Sequence, residues 1–254
     1  MVPFNNVSDS HQHSLETLNI LYGYDSFLDS LEVIADFGCG VGLDSQWWAT
    51  LETRDDPPEP RNYTVYSVDK NLAKFDQKIK QLSNIKLLEE DFDVPGDTII
   101  PVAADLVWCH DAFQYVVNPI QTLATWNARM NVNGMLVLIF PQTSRYEYNR
   151  YQNTSYNWCY YNHNIVSLMY MLAVNGFDCK DAYFKKEENN PWLYAAVYKS
   201  DIPPMNPKTT SWYDLAEKNL LNESVEDSLN RFGYVKQEII VTNWLDKDFN
   251  FPKE

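Results

Sequence analysis

The chain has 254 residues, with 20 Lys and Arg against 35 Asp and Glu, a formal net charge of −15, and 45% hydrophobic residues. That length and apolar content suit one large domain, or a domain with additions, and exclude a mainly disordered chain. The acidic balance counts against non-specific nucleic-acid binding, which needs Lys and Arg at phosphates, and no apolar run reaches the length of about 18 residues that a membrane-spanning helix requires.

In chain order, Met1–Gln12 lacks a basic stretch followed by an apolar one, so no secretory signal is expected and a cytoplasmic setting follows. A helix is expected over Leu15–Leu21, then a strand over Leu31–Phe37 that stops at glycine. Leu43, Trp47 and Leu51 recur every four residues and predict a helix with one buried stripe. Thr53–Asn62 is polar and proline-rich, a surface loop. A strand over Thr64–Val68, a Lys-rich solvent-facing helix over Leu72–Leu82 and a strand over Ile85–Leu88 come next. Asp105–Cys109 is a fourth strand, Pro119–Met130 a helix with proline in its first turn, and Gly134–Phe140 the most apolar strand, hence central. Ile165–Val174 predicts a helix closed by Gly176, ahead of two strands, Phe177–Phe184 and Trp192–Lys199.

Strands alternating with helices imply an α/β domain with a mainly parallel sheet covered on both faces. Past Asp201 the pattern breaks at Ile-Pro-Pro-Met-Asn-Pro, and helices are expected over Ser211–Leu221 and Val225–Arg231. The expected organisation is a domain over 1–200 with a helical C-terminal appendage over 201–254. The four cysteines, Cys39, Cys109, Cys159 and Cys179, form no Cys-x-x-Cys pair and read as reduced thiols. His11 and His13 stand in a polar stretch and make no metal site on that evidence, so none is expected.

The chemistry concentrates at Asp36-Phe-Gly38-Cys39-Gly40-Val-Gly42, where three of the chain's 8 glycines fall within five residues between a strand and a helix. Glycines there admit positive φ and let backbone approach a ligand beside a helix N-terminus. The spacing is not the dinucleotide G-x-G-x-x-G, and a tight strand-to-helix turn would also use it. Context narrows the choice. Asp69 ends the second strand, where an acid accepts hydrogen bonds from ribose hydroxyls. Asp91 and Phe92 follow the third, and Cys109-His110-Asp111 close the fourth. Ligands of open α/β sheets sit at these carboxyl ends.

On these residues the sequence resembles the class I S-adenosylmethionine-dependent methyltransferases over about residues 32–199. The resemblance implies a Rossmann-like, seven-stranded sheet with its last strand antiparallel and S-adenosylmethionine as cofactor. It assigns the glycine motif to Asp36, Gly38, Cys39, Gly40 and Gly42, the ribose acid to Asp69 with Lys70 beside it, and the adenine contacts to Asp91 and Phe92. The fourth motif falls on Asp105 to Phe113, with Cys109 near the cofactor. A long Asp-Asp-Pro-Pro-Glu-Pro loop departs from the pattern by lengthening the interval between the glycines and Asp69.

Asp36 is expected to orient the glycine loop through backbone N–H groups. His110 and Asp111 are the candidates for a general base, if the acceptor must lose a proton; packing or helix capping would equally place them there. The absence of Asn/Asp-Pro-Pro-Tyr/Phe after the fourth strand, together with the acidic charge, favours a small-molecule acceptor over a nucleic-acid base. Methylation of RNA or protein, or a non-catalytic cofactor-binding scaffold, are the alternatives. Tyr146, Tyr148, Tyr151, Tyr156, Trp158, Tyr160 and Tyr161, with Arg145 and Arg150 between them, form either a lid over a planar or cationic substrate or packing beneath an insertion.

Overall fold

In the computed structural model, seven apolar runs pair into one sheet, because a strand buried on both faces must place every backbone polar group in a ladder. The structure describes residues 14, 17, 21, 25–93, 100–141, 163–187, 190–225 and 227–228. The expected N-terminal helix, the histidines at 11 and 13, the aromatic segment 145–161 and the end of the second C-terminal helix lie wholly or partly outside them.

A short helix α1 (Asp25–Asp29) precedes β1 (Val33–Phe37), α2 (Leu43–Ala49) and β2 (Thr64–Asp69). Next come β3 (Ile85–Glu89), β4 (Ala104–His110), α3 (Pro119–Ala128) and β5 (Met130–Pro141). The chain continues through α4 (Ile165–Val174), β6 (Phe177–Glu187), β7 (Asn190–Lys199) and α5 (Trp212–Glu217). The sheet order is β3-β2-β1-β4-β5-β7-β6. Strands β1 to β5 pair in parallel, and β7 runs antiparallel to both β5 and β6. The winding reverses between β1 and β4, so a crevice opens where their carboxyl ends part.

Alternation along β5 divides the core. Leu136, Leu138 and Phe140 face α3 and α4, while Met135, Val137 and Ile139 face the layer that holds α2. Each such side chain contributes about 1.5–3 kcal/mol on full burial. Helix α4 is buried nearly all round and starts at an Asn164–Ser167 capping box. At the opposite end of the sheet, Asp105 ties β1 to β4 by accepting the Glu32 and Val33 N–H groups at 2.9 Å each. Residues 201–225 share the core: Trp212, Leu215, Leu220, Leu221 and Val225 pack in the same cluster as α4. The Cys179 N–H donates to the Leu220 carbonyl at 2.9 Å.

One expected helix is corrected. Leu72–Leu82 forms two 3-10 turns, Leu72–Lys74 and Ile79–Gln81, not a continuous helix. Phe75 interrupts it with an extended backbone (ψ 132°) and is 2% exposed. Its ring lies so close to Gly42 that a Cβ there would meet it at 2.5 Å. Packing against the glycine turn outweighs the propensity of the Lys-rich run. The central strand is also longer than its apolar stretch, because Met130 already pairs with Ala104, ahead of a register shift after which Met135 pairs with Leu106. A Cβ on Gly134 would meet the Asn131 carbonyl oxygen at 2.8 Å.

Candidate functional site

The crevice is floored by the turn that joins β1 to α2. Gly38, Gly40 and Gly42 take φ of 78°, 54° and 90°, a left-handed backbone that side chains with a Cβ rarely adopt. Gly38 is also fixed by contact, since its Cβ would lie 2.3 Å from the Ala112 Cβ. At Gly40 the nearest obstruction to a Cβ is 4.0 Å away, so the middle of the turn faces open space.

The turn is held by β2. The Gly38 and Cys39 N–H groups both donate to the Val68 carbonyl, at 2.8 and 3.2 Å. The Gly40 N–H donates to Asp69 Oδ2 at 3.1 Å, and the Asn71 N–H to Asp69 Oδ1 at 3.0 Å. Asp36 does not hold the turn in the expected way. Its Oδ2 accepts from the Ser45 hydroxyl at 2.5 Å, and Ser67 Oγ donates on to Ser45 Oγ at 2.7 Å. A side chain at the end of β1 points across its own face toward α2, whereas the turn's N–H groups face β2.

Asp36 is 2% exposed. Burial, and then the Asp44 charge, raise its pKa to about 8 against the pull of Ser45 and His110. Asp44, in the first turn of α2, was not singled out by the sequence reading. It is 9% exposed, and its Oδ2 accepts from Trp108 Nε1 and meets His110 Nδ1, both at 3.0 Å. A signal for it existed: Trp48 follows at i+4, and a tryptophan in the core carries the residue one turn above it inward too. Trp48 is fully buried, its ring 5.6 Å from that of Trp108.

His110 ends β4, 8% exposed, with its ring 5.7 Å from that of Trp192, near the start of β7. Burial pulls its pKa down, but the hydrogen bond and charge of Asp44, with the charges of Asp111 and Asp36, raise it overall. Asp111 turns elsewhere: at φ 51° it accepts from Gln114 Nε2 at 2.6 Å and donates its N–H to the Ile139 carbonyl at 2.8 Å. Burial raises its pKa, against the His110 charge and the Gln114 hydrogen bond.

Of the other expected residues, Cys109 is fully buried on the sheet face opposite Trp108, so its side chain belongs to the core. Cys39 packs on the α2 side, and burial raises both thiols above their ordinary value. The ring of Phe92 stacks on Phe37 (6.3 Å, 9°) beside Gly38, and its carbonyl accepts from Trp126 Nε1 at 3.0 Å. Asp91 and Lys70 are exposed at the ends of β3 and β2, and Asp91 Oδ1 accepts the Asp93 N–H at 3.0 Å. Asp93 itself accepts from the Val117 N–H at 2.5 Å and from the Thr122 hydroxyl, which pins the Phe92 segment to α3. A second histidine, His163, directly precedes the Asn164 cap of α4. It is 4% exposed between the rings of Phe113 (5.3 Å) and Phe140 (5.5 Å). Burial alone lowers its pKa to about 4.

The arrangement fits a ligand that brings positive charge and a ribose: an open glycine turn, an acid at each of the first two strand ends, and a ring beside the turn. No family model and no curated protein matches the sequence. Solved structures do match in shape. The N-methyltransferase NodS of Bradyrhizobium japonicum WM9 aligns over 76% of this chain and 99% of its own, at 12% identity and a TM-score of 0.53. Magnesium protoporphyrin IX methyltransferase (ChlM) of Synechocystis PCC 6803 with bound SAH aligns over 78% and 90%, at 17% identity and 0.56. A chain of the complex between the Haloferax volcanii Trm112 methyltransferase activator and a methyltransferase aligns over 76% and 95%, at 10% identity and 0.52. The seven-stranded order and these likenesses give the chain the fold of the class I S-adenosylmethionine-dependent methyltransferases.

Proposed function

We propose that the chain is an S-adenosylmethionine-dependent methyltransferase that acts on a small-molecule acceptor in the cytoplasm. The observation that carries this reading is the left-handed glycine turn, set among buried acids, at the point where the sheet reverses its winding. The cofactor would lie along Gly38, Cys39, Gly40 and Gly42, with Asp36 near its ammonium group. Asp69 and Lys70 would meet its ribose, Asp91 and Phe92 its adenine, and the Cys109 backbone its remaining edge. When bound, it supplies a methyl group on a positively charged sulfur, and sulfur keeps the bonding electron pair as the methyl leaves.

This chain's residues supply positioning and charge. Acids around the turn favour a cation over a polyanion, and Trp192 covers His110 from β7. The small-molecule preference is supported by the His110-Asp111-Ala112-Phe113 run and by the net charge of −15. Three buried free cysteines, Cys39, Cys109 and Cys179, fit a reducing compartment, and no described helix is long and apolar enough to cross a membrane. The described part of the C-terminal appendage, residues 201–225, would belong with the 1–200 domain, closing its core behind α4.

Calorimetry with S-adenosylmethionine is the first test, with binding in the micromolar range as the expected result and none up to millimolar as the result that overturns it. Transfer of labelled methyl to an extract, with nuclease- and protease-treated controls, then identifies the acceptor. Product that survives both treatments is expected, and product lost only to nuclease overturns the small-molecule assignment.

A further inference from the structure

We propose that Asp44 is a positioning residue that fixes the proton of His110 on Nδ1, leaving Nε2 as the base for an acceptor that must lose an O–H or N–H proton. The inference deepens the methyltransferase reading and rests on it.

Three observations carry it. The first is geometric: a single carboxylate oxygen, Asp44 Oδ2, lies 3.0 Å from both Trp108 Nε1 and His110 Nδ1. Indole N–H is only a donor, so the oxygen is an acceptor there, and a carboxylate accepting from both rings requires hydrogen on Nδ1. The second is rigidity. Trp108 and Trp48 are fully buried and in edge contact, so the carboxylate cannot swing away without emptying a packed layer. The third is location. Asp44 lies two residues beyond Gly42, and His110 closes the strand beside β1, so the pair stands at the carboxyl ends of β1 and β4, next to the glycine turn.

The charged groups around His110 are Asp44 from α2, Asp36 from β1 and Asp111 from the loop after β4; Trp192 covers it from β7. In their ionised forms these acids favour an imidazolium over a neutral ring, Asp44 most directly through its contact with Nδ1, and the imidazolium is the state the base reaches after it has taken a proton. In the step itself, the acceptor's O–H or N–H bond breaks and the proton moves to His110 Nε2. The electron pair remains on the acceptor atom and forms the new bond to the methyl carbon. Asp44 stays ionised and stabilises the imidazolium through Nδ1–H.

The test is nitrogen NMR of the full chain labelled at histidine, with His110 assigned by His110→Gln. Wild type is expected to show hydrogen on Nδ1 in the neutral ring. Asp44→Asn is expected to move the His110 titration midpoint down and to lower kcat by about a hundredfold, with KM for the acceptor changed less than about threefold. A neutral ring with its proton on Nε2, or an unmoved midpoint in a folded Asp44→Asn, overturns the proposal. If that variant does not fold, the wild-type ring alone decides. Calorimetry with S-adenosylmethionine on the same wild-type sample keeps the two readings apart. Absent binding overturns the cofactor reading, whereas binding with the proton on Nε2 overturns the Asp44 role alone.

Discussion

His110 and His163 are both buried at the carboxyl end of the sheet, on opposite faces, and their surroundings push them in opposite directions. His110 is set among carboxylates and is pulled toward its charged form. His163, between Phe113 and Phe140, is pushed toward its neutral form with a pKa of about 4. Burial has the same sign for both, so the difference comes from neighbours: among the described residues, Asp44, Asp111 and Asp36 offer His110 the compensating charge. One fold thus holds a wet-chemistry face, suited to moving a proton, and a dry aromatic face, suited to shape.

The sharpest way to break this contrast is to remove its anchor. Asp44→Ala strips the shared acceptor from two buried donors, and equilibrium unfolding near pH 6 should show a loss of about 3–5 kcal/mol. A loss under about 1 kcal/mol would mean that the acidic face is not organised by Asp44. The pH dependence of stability comes next. His163 binds a proton in the unfolded chain near pH 6.5 but in the folded chain only near 4. Its contribution is therefore full above pH 6.5 and is lost as pH falls toward 4, by about 3 kcal/mol. His163→Leu should flatten that acid limb in urea titrations. His110 has the reverse sign, its contribution present below pH 6.5 and lost as pH rises through its raised folded value.

Asp69→Ala removes the acid that holds Gly40, and S-adenosylmethionine binding should weaken by about one to two powers of ten, the worth of a hydrogen bond to a charged group. Smaller still is a proton count. Burial and the Asp44 charge hold the Asp36 pKa well above the ordinary carboxylate value, and a cation seated beside it lowers that value. Binding at pH 7 should release a fraction of a proton and tighten as pH rises toward 8. Calorimetry in two buffers of different ionisation enthalpy reads this directly, and Asp36→Asn should abolish it.

Most of the sheet was legible because its strands are buried on both faces and bounded by glycine or proline. The glycine turn was legible for the same reason its residues are special: φ of 54° to 90° leaves few other choices. The Leu72–Leu82 segment misled because propensity is local, whereas Phe75 answers to Gly42, 33 positions earlier. Asp44 was hidden by the opposite problem. An acid in the first turn of a helix is ordinarily solvent-facing and favourable to the dipole, and only the burial of Trp48 one turn later tells otherwise. Trp192 reaches the site through sheet topology, which no window of sequence contains.

That topology has a consequence for how the protein is made. Strand β7 enters the sheet between β5 and β6 and runs against both. Its first residues therefore arrive at the carboxyl end of the parallel strands, and Trp192 covers His110 from there. On the ribosome the glycine turn, the acids and His110 all emerge before residue 190. The wall over the base is added last, and β6, already synthesised, gains its place in the sheet only when β7 slides in beside it. The nascent chain therefore carries a complete set of chemical groups with no shelter from water until nearly 200 residues are out. Chain growth at about 5–20 residues per second sets how long that exposed state lasts.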